Sequence, residues 1–247
     1  MLAKKQVLAE PGWARWVAFA GRLLLALEDA VEEYGLSNIY VDARAFRHDL
    51  APRVVGIRPE PPIDGVEEYV ENRVDGLSVR RTGGEVRPMA ELYRSVLRVY
   101  LSKFVPVLLR HAAETSETGT EYLAAVVGDG KLVVLEGDEG RVTIPFIQSW
   151  VSGHTHPAGH CLFSHKDVAS MRDFYTHGGL VTGVVTTTCS MVLWREGPYT
   201  MDDHLALVGL EKDLKKLRRS EEVPRVFKGF SRQARSLRYS WVKGGGG

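Results

Sequence analysis

Hydrophobic residues in the first third of the chain recur mainly at helical intervals. Apolar side chains spaced by three and four from Trp16 to Val31 predict a helix over 11–34 that ends at Gly35. The other elements predicted before residue 95 are a strand at 38–41, irregular or edge structure in the proline-rich run 49–62, and a short helix at 66–74. No chemical motif stands out in residues 1–94, so we treat them as an N-terminal extension of open fold.

The middle of the chain, residues 95–200, alternates apolar runs of strand length with two helical patterns. Its predicted elements are, in order, a strand at 95–101, a helix at 103–114, strands at 122–127, 132–135 and 142–146, a histidine-bearing strand, a helix at 164–177, and strands at 180–187 and 190–194. This order predicts an α+β core in which a curved mixed β-sheet is flanked by helices.

The last stretch, residues 201–247, is amphipathic and basic. Its leucines predict a helix, and beyond Pro224 basic residues alternate with aromatic ones. From 211 onward there are eleven Lys and Arg against four Asp and Glu, although the whole chain carries a net charge of only +1. Such a segment suits a nucleic-acid backbone, and a solvated helix packed on the core is the alternative. Residues 244–247, all glycine, are expected to be a plain terminal segment rather than a mimic of a substrate tail.

Composition excludes several classes of protein. The early apolar run 16–27 is too short to span a bilayer, so we expect no membrane partner and a cytoplasmic location. Asn and Gln total only five, which favours a thermophilic source, archaeal or bacterial. Two cysteines do not make a disulfide framework, and we expect Cys161 and Cys189 to be small buried residues. Their pairing, or contact of Cys161 with a metal, are the alternatives.

The chemistry is concentrated in residues 151–170, which read VSGHTHPAGHCLFSHKDVAS. His154 and His156 are two residues apart, so both rings project from one face of an extended segment. With Asp167 at the start of the next helix they supply the three protein ligands of a catalytic zinc site, whose fourth position is left for water. Ser164 and Asp167 also have the spacing of a helix capping box, and both roles are compatible. We interpret the other histidines as packing or surface residues: His48, His111, His160, His165, His177 and His204.

This spacing, H-T-H, seven residues, S-x-x-D, resembles the motif of the JAMM (MPN-plus) metalloprotease family, in which a glutamate lies well upstream. The resemblance covers residues 96–196 approximately. It implies an MPN/JAMM core of cytidine-deaminase-like fold and Zn²⁺ as the cofactor. It also implies that Glu121 is the general base, with Glu114 and Glu117 as alternatives, and that Ser164 stabilises the oxyanion.

The resemblance further implies a substrate. JAMM enzymes hydrolyse isopeptide or peptide bonds after the C-terminal glycine of ubiquitin-like modifiers or sulfur-carrier proteins, and prokaryotic members are similar to desampylases. A Gly-Gly tail suits a narrow approach to the metal because glycine lets the backbone come close. The alternatives are an MPN-type scaffold and a nucleic-acid-associated protein. No HExxH string and no P-C-x-x-C pair occurs, which excludes two other classes of zinc enzyme.

Overall fold

The computed structural model of the chain describes residues 6–139, 148–157, 161–217 and 220–243. These residues form a seven-stranded and a four-stranded mixed sheet with helices packed against them. The elements are β1 (Gln6–Ala9), α1 (Gly12–Tyr34), β2 (Asn38–Asp42), β3 (Val54–Glu60), α2 (Val66–Glu71), β4 (Ser78–Arg81), β5 (Val86–Pro88), α3 (Ala90–Val99), α4 (Val105–Thr118), β6 (Thr120–Val127), β7 (Leu132–Glu139), β8 (Ser149–Thr155), α5 (His165–Thr176), β9 (Val181–Val185), β10 (Cys189–Arg195), α6 (Met201–Lys216), α7 (Val223–Gln233) and β11 (Leu237–Lys243). The predicted α+β class with helix-flanked mixed sheets is confirmed.

The larger sheet has the strand order β1-β7-β6-β8-β9-β10-β11. The neighbours β8 and β9 run parallel, and the other neighbouring pairs are antiparallel. One face packs against α1, α3 and α4, and the opposite face packs against α5, α6 and α7. The carboxyl ends of β8 and β9 therefore lie beside the first residues of β6, at the same end of these three interior strands.

The first 94 residues contribute to both sheets. β1 is an edge strand of the larger sheet, and α1 approaches that sheet at Gly21, which lies against the indole of Trp150 on β8. β2 to β5 form the smaller sheet in the order β4-β3-β2-β5. The predicted boundary at residue 94 falls within α3, and the C-terminal stretch contributes β11, which pairs with β10.

Two local predictions are wrong. The predicted strand at 95–101 is the end of α3 and the start of a π-helical turn, Tyr100–Phe104, because Leu92, Val96 and Val99 recur at helical rather than alternating spacing and are buried on one side. The proline-rich run 49–62 contains β3, an interior strand of the smaller sheet. Val55 and Ile57 of this strand are buried, an alternation that the flanking prolines obscured. The strand predicted at 142–146 lies outside the described residues.

No helix among the described residues has both the length and the apolar character that crossing a bilayer requires.

Candidate metal centre

The two histidines of the H-T-H string lie at the carboxyl end of β8. His154 is opposite Leu123 of β6 on one side and Val184 of β9 on the other. His156 follows one residue after the strand and is anchored by its N–H, which donates to the carbonyl of Val185 at 3.0 Å. The two rings lie side by side with centroids 4.7 Å apart, as predicted for residues that alternate along an extended segment.

Asp167 approaches this pair from the first turn of α5. Its position is fixed by a capping box, in which the N–H of Ser164 donates to Oδ2 of Asp167 at 2.6 Å and the N–H of Asp167 donates to Oγ of Ser164 at 3.2 Å. Oδ1 of Asp167 lies 3.2 Å from Nε2 of His154, and Oδ2 lies 3.6 Å from Nε2 of His156. The capping box therefore leaves the Asp167 carboxylate beside both imidazoles, where it can also serve as a metal ligand.

The three side chains fit a zinc ion. Their ligand atoms lie within 4.8 Å of one another, and the two Nε2 atoms are 2.9 Å apart. Tetrahedral zinc with bonds of about 2.0–2.1 Å separates neighbouring ligand atoms by about 3.3 Å, which the three measured separations bracket. Two imidazoles with one carboxylate are a donor set that suits zinc.

Electrostatics tie the three groups together. Burial raises the pKa of the Asp167 carboxyl, but His154, His156 and the backbone N–H of Ser164 outweigh burial and hold that pKa well below its ordinary value. Burial lowers the pKa of the His154 imidazole, and Asp167 with Glu121 reverses the effect, so that the pKa of His154 is raised. The two opposite shifts describe a coupled pair of carboxylate and imidazolium, so a metal ion bound here would take the place of the proton on His154.

Glu121 is the second residue of β6 and is half-buried. Because Leu123 is opposite His154 in the antiparallel register, Glu121 lies two residues further toward the edge, on the face that carries both histidines. Burial raises the pKa of its carboxyl, Asp167 raises it further, and His154 opposes them. A carboxyl with a raised pKa beside a metal site suits proton transfer near neutral pH. Glu114 and Glu117, the alternatives, are exposed on α4.

Ser164 is exposed at the start of α5, beside Asp167. Its Oγ accepts a hydrogen bond within the capping box. Since a hydroxyl can accept and donate at once, its O–H stays able to donate to an oxyanion.

The cysteine prediction is wrong: Cys161 and Cys189 form a disulfide with Cα atoms 5.8 Å apart. The bond joins the segment between His156 and Ser164 to the first residue of β10. A paired Cys161 has no thiolate for a metal. The two cysteines are 28 residues apart, and only the packing of β10 beside β9 brings them together, so their spacing could not show the bond.

The sequence also gave no sign of a buried hydroxyl pair behind the histidines. Thr155, between the two ligands, projects to the opposite face of the sheet, where its Oγ1 lies 2.6 Å from Oγ1 of Thr115 on α4. Both residues are fully buried. Thr155 is part of the H-T-H string, but nothing in the sequence marks Thr115 as its partner 40 residues away.

The remaining candidates are placed as follows. His48 packs on the ring of Trp16, and His111 stacks on Tyr122 with centroids 4.4 Å apart. His160 and the terminal glycines 244–247 lie outside the described residues.

In the basic C-terminal stretch the aromatic residues pack together: Phe227 and Phe230 are buried, and Tyr239 and Trp241 lie against Phe227. Nucleic-acid binding by this stretch stays a prediction, and the contacts would have to come from its lysines and arginines.

Comparisons of the chain with models of protein families, with curated proteins and with solved structures found no match. The functional assignment therefore rests on the site itself.

Proposed function

We propose that the protein is a zinc-dependent peptidase or isopeptidase of JAMM type. Its substrates in this proposal are ubiquitin-like modifiers or sulfur-carrier proteins, cleaved after the C-terminal glycine of a Gly-Gly tail. The observation that supports it most is the convergence of His154, His156 and Asp167 into a zinc-sized cluster with Glu121 on the same face of the sheet. We keep the cytoplasm as the proposed location, where a disulfide such as Cys161–Cys189 is typical of hyperthermophiles.

In this mechanism His154, His156 and Asp167 would hold the metal, and a zinc ion there would supply a Lewis acid that lowers the pKa of water to about 7. Glu121 accepts a proton from the attacking water as the new C–O bond forms. Ser164 donates its O–H to the oxygen that becomes negatively charged on the former carbonyl. Glu121 then delivers the proton to the leaving amine nitrogen as the C–N bond breaks. The proton taken from water thus ends on the amine, and Glu121 returns to its carboxylate form.

The test combines zinc content with cleavage of a ubiquitin-like protein fused through its Gly-Gly tail. We expect one zinc per chain in the wild type and in Glu121→Gln, and cleavage by the wild type alone, because the amide cannot accept a proton. Glu117→Gln is the matched control, an exposed glutamate of α4 whose loss should leave cleavage unchanged. His154→Ala should lose both zinc and activity.

The outcomes separate the candidate functions. Zinc in the wild type and in Glu121→Gln, without cleavage by either, would favour the MPN-type scaffold. A chain that binds no zinc under conditions where it is folded would refute the metal site and the hydrolase together.

A further inference from the structure

A chain of hydrogen bonds joins helix α4 to the backbone of β6 beside the metal site. The N–H of Tyr122 lies 2.8 Å from Oγ1 of Thr155, which lies 2.6 Å from Oγ1 of Thr115, which in turn lies 3.1 Å from the carbonyl of His111. Thr115 and Thr155 are fully buried, and Tyr122 is 4% exposed. Water therefore has no access to the two bonds that Thr155 makes.

The direction of every bond in this chain is determined. The N–H of Tyr122 can only donate, and the carbonyl of His111 can only accept. Thr115 uses its hydroxyl hydrogen on His111, so Thr155 must donate to Thr115 while it accepts from Tyr122. Each hydroxyl has one hydrogen and each is used, so the chain has a single arrangement.

The chain of hydrogen bonds lies where the regular pairing of β6 with β8 ends, next to the candidate metal site. The paired register of β6 and β8 ends at Leu123 and His154, and one residue further the N–H of Tyr122 turns to the Thr155 side chain. At the same point the register between β6 and β7 shifts between Thr120 and Tyr122. Glu121 thus lies beyond the paired register with β8 and, on the other side, within an irregularity of the pairing with β7.

Tyr122 is held a second time by the same helix. Its ring stacks on the imidazole of His111, with centroids 4.4 Å apart and planes 21° from parallel. Helix α4 therefore holds the ring of Tyr122 directly and its amide through Thr155, and Tyr122 is the residue that directly follows Glu121.

We propose that Thr155 and Thr115 are positioning residues that set the position of Glu121 relative to the cluster of His154, His156 and Asp167. This inference rests on the proposed function, in which Glu121 moves the proton. In this proposal Thr155, the residue between the two histidines, has a separate role. His154 and His156 would hold the metal on one face of the sheet, and the Thr155 hydroxyl on the other face aligns β6, the strand that carries Glu121. Misplacement of a catalytic group by about 1 Å can cost about 10²-fold in rate.

The test compares Thr155→Val with Thr155→Ser. Valine has nearly the shape of threonine but no hydroxyl, whereas serine keeps the hydroxyl. For Thr155→Val we expect kcat to fall about 10²-fold with KM and zinc content unchanged. Hydrogen exchange at the Tyr122 amide should become faster even in zinc-free protein. Thr155→Ser should restore both the slow exchange and most of kcat.

Thr182→Val is the matched control. Thr182 accepts a hydrogen bond from Ser152 at 3.0 Å, so the two form a hydroxyl pair between β8 and β9 that lies outside the hydrogen bonds of Tyr122, Thr155 and Thr115. Its loss should leave kcat and the exchange of Tyr122 unchanged. If Thr155→Val does not fold, Thr115→Val interrupts the chain one bond further away and should lower kcat by a smaller factor.

Unchanged kcat or unchanged Tyr122 exchange in folded Thr155→Val, or an equal fall of kcat in Thr182→Val, would refute the positioning role. These results presuppose an active wild type. A wild type that binds zinc but cleaves nothing would refute the proposed hydrolase, which is a separate and distinguishable failure.

Discussion

At the residue scale, we expect zinc at the proposed site to compete with a proton for His154. Burial lowers the pKa of this imidazole, but Asp167 and Glu121 outweigh burial and raise it. Zinc binds neutral imidazole, so below the raised pKa each zinc must displace a proton from His154. We expect the zinc affinity to fall about tenfold for each pH unit below that pKa and to level off above it.

Competition with a chelator whose own protonation is corrected for would measure this profile between about pH 6 and pH 9, a range that includes the ordinary pKa of histidine near 6.5. His204→Asn, a change on α6, serves as the control and should leave the profile unchanged. A zinc affinity that is constant over the whole range would contradict the proton competition.

How much of the site is predictable from sequence differs by residue. The positions of His154, His156 and Asp167 follow from local rules, since alternation along a strand and the first turn of a capped helix fix them. Glu121 depends on the register that places Leu123 opposite His154, which no local pattern encodes, so it was predicted only through resemblance. The partnership of Thr155 with Thr115 likewise depends on tertiary packing.

At the scale of elements, helix α1 meets β8 through a glycine. A methyl group at Gly21 would overlap the indole of Trp150, which is itself 3% exposed. Alanine would favour the helix by about 1 kcal/mol relative to glycine, whereas forcing a methyl into a packed core costs about 1–3 kcal/mol. The overlap involves several ring atoms held between helix and sheet, so we expect Gly21→Ala to lower the free energy of unfolding, as measured in urea.

Gly229 in the middle of α7 is the matched control. A Cβ built there meets nothing within 4 Å. Gly229→Ala should therefore raise the free energy of unfolding by about 0.5–1 kcal/mol, the usual advantage of alanine within a helix. The same sign of change for both substitutions would contradict the packing argument.

The disulfide is the second contact that acts between elements. It closes a loop across a sequence separation of 28, for which the chain-entropy relation gives a stabilisation of about 3.5 kcal/mol. We expect Cys161→Ser/Cys189→Ser to lower the free energy of unfolding by an amount of this order. Wild type under reducing conditions should unfold at the same urea concentration as the double variant, and unequal midpoints would show that the substitutions act by other means.

Elements with strong periodicity were predictable, and those in mixed sequence were not. α1 has a long apolar stripe and a glycine at its end, so its bounds agree with the prediction to within a residue. α3 was misread because its short apolar run fits a strand nearly as well, and the burial of Tyr93 and Val96 decides the matter only in three dimensions. β3 was missed because prolines flank and enter it.

At the scale of the whole molecule, one buried ion pair joins the N-terminal part of the chain to the larger sheet. Arg195 of β10 is 1% exposed and donates from Nη2 to both carboxylate oxygens of Glu28 on α1 at 2.6 Å. Tyr93 of α3 donates its hydroxyl to the same carboxylate. Three elements that are distant in sequence thus share one charge-neutral cluster, which no local pattern could reveal.

Removal of the Glu28 carboxylate should lower the free energy of unfolding. Glu28→Gln leaves the buried guanidinium of Arg195 without its counter-charge, and losing one partner of a buried pair costs about 3–5 kcal/mol. The exposed pair of Arg81 and Glu67, with Nε and Oε1 2.7 Å apart, is the control, because Arg81 keeps 45% of its side chain in solvent. Glu67→Gln should lower the free energy of unfolding far less than Glu28→Gln, because ion pairs at the surface contribute little.

The double variant Glu28→Gln/Arg195→Leu sharpens the test. It removes the uncompensated charge along with its partner, so it should be more stable than Glu28→Gln alone in urea unfolding, since buried pairs are often replaceable by apolar side chains. The loss of stability in the double variant could instead equal the sum of the losses in Glu28→Gln and Arg195→Leu. That result would mean that the cluster acts through packing of Arg195 against Tyr93 rather than through charge. The ring centroid of Tyr93 lies 5.7 Å from the guanidinium carbon.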